Sequence, residues 1–154
     1  MPNAGTKIPR TMTLEPMGIL YARVALGAAF LSGIADRFGL WGKDVGYGNF
    51  TNFVHYTAQV NSFMPAVTIP FLAWSATVAE LFFGIALILG IWPRSVALGS
   101  ALLLAVFGTA MAISFGIKSP LDYSVFSASA GALLLSRCSP KNYYVPESPG
   151  NDGG

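Results

Sequence analysis

Apolar residues along the chain gather in three long runs and one shorter one. The first is "MGILYARVALGAAFLSGIA", residues 17 to 35, broken by Arg23. The second runs from about Ala66 to Trp92 and holds "WSATVAELFFGIALILGIW", with Glu80 as its one charge. The third, Ser95 to Ile117, carries no charge, and the fourth, "YSVFSASAGALLLS", lies between Asp122 and Arg137. About 20 helical residues cross a hydrocarbon core of roughly 30 Å. The first three runs meet that length; the fourth does so only if it starts near Pro120 or the bilayer thins around it. The pattern predicts an all-α fold, a four-helix transmembrane bundle with helices at about 16–37, 66–92, 95–117 and 121–137. It forms one membrane domain over 15–138, preceded by a segment 1–14 and followed by a Pro-, Gly- and Ser-rich tail 139–154 read as disordered.

The long connection from Phe38 to Pro65 has a pattern of its own. Asn49 is a candidate N-cap for a short helix within 49–62. Phe50, Phe53, Val54, Thr57 and Val60 share one face of it, and Thr51, Asn52, His55, Gln59 and Ser62 the other. This predicts an amphipathic helix at the membrane surface, in the first external loop. Trp41, Tyr47 and Tyr56 suit that interface and Trp92 the opposite one. "NFT" at 49–51 matches a glycosylation sequon, meaningful only in a eukaryotic secretory pathway.

Composition reinforces the membrane reading: 53% of residues are hydrophobic and 10% charged, against about 25% charged in soluble domains. A net charge of +2 without basic runs gives no nucleic-acid signal. Cys138 is the only cysteine and His55 the only histidine. An internal disulfide, a CxxC pair, a zinc or iron–sulfur site and bis-histidine haem are therefore excluded within one chain. No cofactor is encoded by the residues, and no catalytic residue is assigned. Lys7, Arg10, Arg94, Arg137 and Lys141 fall at one end of the spans, and Arg37, Lys43 and Lys118 at the other. This bias puts both termini in the cytoplasm. Lys7 and Arg10 ahead of an apolar core, with "GIA" at 33–35, also fit a cleaved signal peptide. Arg23 inside that core argues for an uncleaved anchor.

The costly residues are Arg23 and Glu80, since a lone charge at a helix centre costs on the order of 2.5–3.5 kcal/mol. Counting from Glu15 places Arg23 about 12 Å deep, and counting from Trp92 places Glu80 about 18 Å deep. The expectation is an Arg23–Glu80 pair across the first two spans, either a structural bolt or a site for a quinone, a proton or a small solute. Tyr21 and Trp74 are candidates to line it. At the outer face, Asp36 is expected to meet Lys118, and Arg37 to meet Asp122 at the start of the last helix. These are interfacial salt bridges, or the mouth of a site with His55 and Tyr123 on its rim. Small residues Ala97, Ala101, Ala105 and Thr109, and Ser124, Ala128 and Ala132 with Ser127 and Gly131 beside them, read as close-packed helix seams.

The stretches "YARVALGAAFLSGIADRFGLWG", "AELFFGIALILGIWPRSVALGSALLL" and "GIKSPLDYSVFSASAGALLL" resemble, in that order, the DoxX/DoxD-like family of small bacterial membrane proteins. The resemblance implies a four-helix bundle of the inner membrane. Some relatives are subunits of a thiosulfate:quinone oxidoreductase, and others are linked to membrane redox complexes. The expected role is an accessory or quinone-interacting subunit, at most a non-catalytic part of a quinone-linked oxidoreductase. Its expected partners are the lipid bilayer, a membrane or periplasmic redox protein, or further copies of the chain. The alternatives are a structural subunit with no site of its own and a carrier for protons or small solutes.

Overall fold

The computed structural model describes residues 14–138. The segments before and after, which contain Lys7, Arg10 and Lys141, lie outside the described residues. Six α-helices follow one another: α1 Leu14–Arg37, α2 Phe50–Val60, α3 Ile69–Leu89, α4 Pro93–Phe115, α5 Lys118–Asp122 and α6 Val125–Arg137, with a 3₁₀ turn at Ala66–Thr68 leading into α3. No strand occurs among the described residues. Pro16–Arg37, Ala66–Leu89 and Pro93–Phe115 are long and apolar enough to cross a membrane; α6, at 13 residues, is shorter. Large apolar side chains such as Val67, Phe71, Val78, Leu102 and Val106 face outward along the long helices. Such a surface suits hydrocarbon, and this is a membrane protein.

The long helices pack in a ring: α1 on α3, α3 on α4, α4 on α6, and α6 back on α1. Near one end, Phe30, Ala86, Leu87, Val96, Ala97 and Leu135 form the buried core. Lipid gives helices no hydrophobic reason to associate, so close approach matters. A Cβ on Gly27 would sit 2.8 Å from the Gly84 carbonyl oxygen, and one on Gly108 would sit 2.7 Å from the Phe126 ring. Gly27 and Gly84 let α1 meet α3 nearly backbone to backbone, and Gly108 makes room on α4 for the Phe126 ring of α6. Of the small residues read as seams, Ala97, Ala101 and Ala132 are buried, and Ser129 Oγ donates to the Ala101 carbonyl at 2.8 Å. Ser127 and Gly131 are exposed. Hydroxyls buried in the spans, Thr77 and Ser100, donate to the carbonyl four residues back, which satisfies them without a second helix.

α2 lies across the other end of the ring, touching α1, α3 and α4. Asn49 caps it, its side chain accepting from the Asn52 N–H at 2.9 Å. Phe53, Thr57 and Val60 point inward, while His55, Gln59 and Ser62 are exposed. Ser114 Oγ donates to the Val60 carbonyl at 2.6 Å, tying the end of α2 to the end of α4.

The last apolar run is not one helix. α5 stops at Asp122, Ser124 takes a left-handed φ of 55°, and α6 starts at Val125. Asp122 therefore ends a short helix instead of starting the last long one, and the expected interaction with that helix's dipole does not form.

Candidate functional site

Glu80 is buried, and its partner is Arg37, not Arg23. Arg37 Nη2 lies 2.7 Å from both carboxylate oxygens, and Nη1 donates to Thr77 Oγ1 at 3.1 Å. Both side chains are more than nine-tenths buried. The antiparallel register explains the choice. Gly27 faces Gly84, so moving up α1 toward Arg37 means moving back along α3 toward Thr77. Arg23 is thereby level with Leu87 and Ile88, seven residues or about 10 Å from Glu80. Counting inward from Glu15 and from Trp92 fails because those residues do not mark a common plane.

Arg23 is satisfied differently. Its Nε donates to the Leu87 carbonyl at 2.9 Å and its Nη2 to that of Ile88 at 3.2 Å. These are among the last carbonyls of α3, which lack partners within the helix and carry its negative dipole end. Gly90 makes this possible: its φ of 73° closes the helix, and any Cβ there would strike the Arg23 guanidinium.

A roof of aromatic rings closes over the Arg37–Glu80 pair. The guanidinium carbon sits 3.8 Å from the centre of the Phe53 ring, close enough for a cation–π contact. Phe53 packs against Tyr47 and Phe50, Phe50 against Trp74 at 4.5 Å, and Tyr47 against Tyr56. Gly33, one turn before Arg37, leaves room for Glu80 Oε2. Burial holds the Tyr47 phenol well above its ordinary range, with Tyr56 adding to the shift. Burial, then Tyr123, does the same to Tyr56. Both rings therefore stay neutral at any physiological pH. Of the buried side-chain nitrogens and oxygens among the described residues, only Arg37 Nε lacks a hydrogen-bond partner.

The charges at the α2 end also pair otherwise than their sequence positions suggest. The Asp36 carboxylate accepts from the Tyr47 backbone N–H at 3.1 and 3.2 Å, and the loop wraps it so tightly that no Cβ fits at Gly46. Lys118 pairs with Asp122 within α5, exposed to the surroundings. Asp36 thus does not meet Lys118, nor Arg37 Asp122, because the loop and Glu80 claim the two α1 residues. His55 is exposed on α2, and Tyr21 and Tyr123 are largely exposed. Trp74 reaches the site only through Phe50. Among the described residues no cluster of side chains could hold a metal ion.

Beside the pair, α1, α3, α4 and α6 border a half-open cavity of about 220 Å³. Leu26, Ala29 and Phe30 line it from α1, Leu104 and Phe107 from α4, and Ala128 from α6; Glu80 of α3 is its one polar wall residue. The carboxylate therefore has two sides: Arg37 and the aromatic roof toward the α2 end, and an apolar chamber toward the bundle centre. Thr77 and the chamber were not singled out from the sequence, and Phe53 was placed on the apolar face of α2 without being assigned to the site. Thr77 could have been, since it lies three residues before Glu80 on the same helix face.

A family model described as DoxX matches residues 18–114. The chain belongs to the DoxX family. The match runs from α1 almost to the end of α4 and so includes Arg23, Arg37, α2, Glu80 and five of the six other cavity residues; Ala128 falls beyond it. Comparison with curated proteins finds no match, and neither does comparison with solved structures.

Proposed function

We propose that this DoxX-family chain is an accessory, quinone-interacting subunit of membrane redox metabolism in the bacterial inner membrane. In this reading both termini are cytoplasmic, α5 and α6 together complete a fourth crossing, and the outer end carrying α2 faces the periplasm. The observation that carries it is the 220 Å³ chamber with Glu80 as its single polar wall residue. An apolar chamber with one hydrogen-bond acceptor suits the flat, mostly apolar ring of a quinone in its reduced, quinol form, whose hydroxyl can donate to the carboxylate. The size suits a ring portion more than a whole isoprenoid quinone, whose tail would leave between helices into lipid. Glu80, its charge countered by Arg37, would orient the headgroup; no electron-carrying group is assigned to this chain.

A second reading rests on a different observation. Both Glu80 oxygens already accept from Arg37, and Phe53 seals the pair, so the contact also serves as a bolt joining α1, α2 and α3. A purely structural subunit of a larger complex would need nothing more.

Extraction of the protein in mild detergent, with quantification of co-purifying quinone, separates the two. The quinone reading expects near-stoichiometric quinone in wild type and a loss in Phe107→Trp, which fills the chamber without touching the ion pair. Stoichiometric recovery with a larger complex and no quinone would favour the structural subunit.

A further inference from the structure

The end of the bundle opposite α2 holds a second cavity, of about 300 Å³, between the start of α4 and the end of α6. Its walls are Arg94, Ser95 and Leu98 from α4 and Leu133, Ser136 and Arg137 from α6. The geometry points to a binding site for the phosphate headgroup of an anionic phospholipid. α4 and α6 run antiparallel, with Ser129 bonded to Ala101. Carrying that register outward brings Arg94 level with Arg137, and Leu98 level with Leu133. Two guanidinium groups thus flank one opening. Neither has a salt-bridge partner among the described residues, and no carboxylate lines the cavity. The Ser136 hydroxyl already donates to the Leu133 carbonyl at 2.6 Å, which leaves the exposed Ser95 as the hydroxyl donor to a bound phosphate.

The order of polarity selects a lipid over a free phosphate. Leu98 lies four residues inside Arg94, and Leu133 four residues before Arg137, so each leucine is about 6 Å nearer the membrane centre than its arginine. Both leucines are exposed along the bundle's flank. Charge at the membrane edge above apolar side chains facing hydrocarbon matches an amphiphile with its head outward and its acyl chains along the helices. A free anion would gain nothing from the leucines. Basic pockets between spanning helices are a recognised setting for acidic headgroups.

The test uses the full chain in nanodiscs of mixed phosphatidylglycerol and phosphatidylcholine, with retained lipid counted by native mass spectrometry. Wild type is expected to retain phosphatidylglycerol preferentially, and Arg94→Gln/Arg137→Gln to lower that preference by about tenfold or more. Arg94→Lys/Arg137→Lys should keep most of it. Equal retention of the two lipids by wild type, or an unchanged preference in the glutamine double variant, would overturn the site. Displacement of the retained lipid by millimolar inorganic phosphate would reassign it to a free anion. The wild-type comparison stands by itself should the double variant fail to fold.

Discussion

The two ends of the α1–α3 contact each hold an arginine of α1, and they solve the same problem in opposite ways. Near the core end, Arg23 takes backbone carbonyls that α3 leaves unpaired at its C-terminus. Near the α2 end, Arg37 takes a carboxylate that would otherwise be a bare charge in the middle of a span. At the first end the helix supplies the acceptor and the arginine fits itself to it. At the second, a guanidinium, a carboxylate, a threonine and an aromatic ring depend on one another. The lesson is that an arginine in an apolar run does not by itself call for an acid elsewhere, whereas an acid within a span does call for a cation.

This contrast can be broken most forcefully at the buried pair. Arg37→Met or Glu80→Leu alone should each cost about 3–5 kcal/mol, because each strands the other charge. Thermal unfolding in detergent reads this as a large fall in midpoint. The Arg37→Met/Glu80→Leu double variant should recover to within about 1 kcal/mol of wild type, since removing both charges removes the desolvation penalty too. A double variant as unstable as the singles would show that the pair is not a mutually dependent unit.

The glycine contact between the two ends comes next. Gly84→Val crowds Leu31 and the Gly27 carbonyl and should cost about 1–3 kcal/mol in the same unfolding measurement. Arg23→Met should cost less, about 1 kcal/mol, because the carbonyls it leaves are partly accessible. Combined with Glu80→Leu, it should add its effect independently, with coupling below about 0.5 kcal/mol. Strong coupling in that cycle would restore the Arg23–Glu80 pairing that the register denies. The smallest effect belongs to Lys118→Ala, whose exposed pair with Asp122 should contribute under about 0.5 kcal/mol.

The helices were legible in the sequence because hydrophobic length and periodicity are local properties. The three long runs, the Asn49 cap and the two faces of α2 follow from residues within a few positions of one another. That Glu80 needs a cation was legible for the same reason. Which cation it takes was not, because the answer depends on the register of α1 against α3, set by the Gly27–Gly84 approach. The chamber was likewise invisible, since its walls come from four helices and nothing in any one of them marks an inward face. The break at Ser124 escaped notice because a left-handed φ at a serine carries no glycine or proline signal.

Arg37 and Glu80 are separated by 43 residues of chain. During synthesis the guanidinium emerges first, at the end of α1, where water or headgroups can accommodate it. The carboxylate follows only after the connecting loop and α2 have been made. An acid in a spanning segment weakens that segment's own case for entering lipid. Arg37, on the helix made first, supplies the charge that offsets this cost in the finished bundle. The pair thus ties together two segments that the order of synthesis keeps apart.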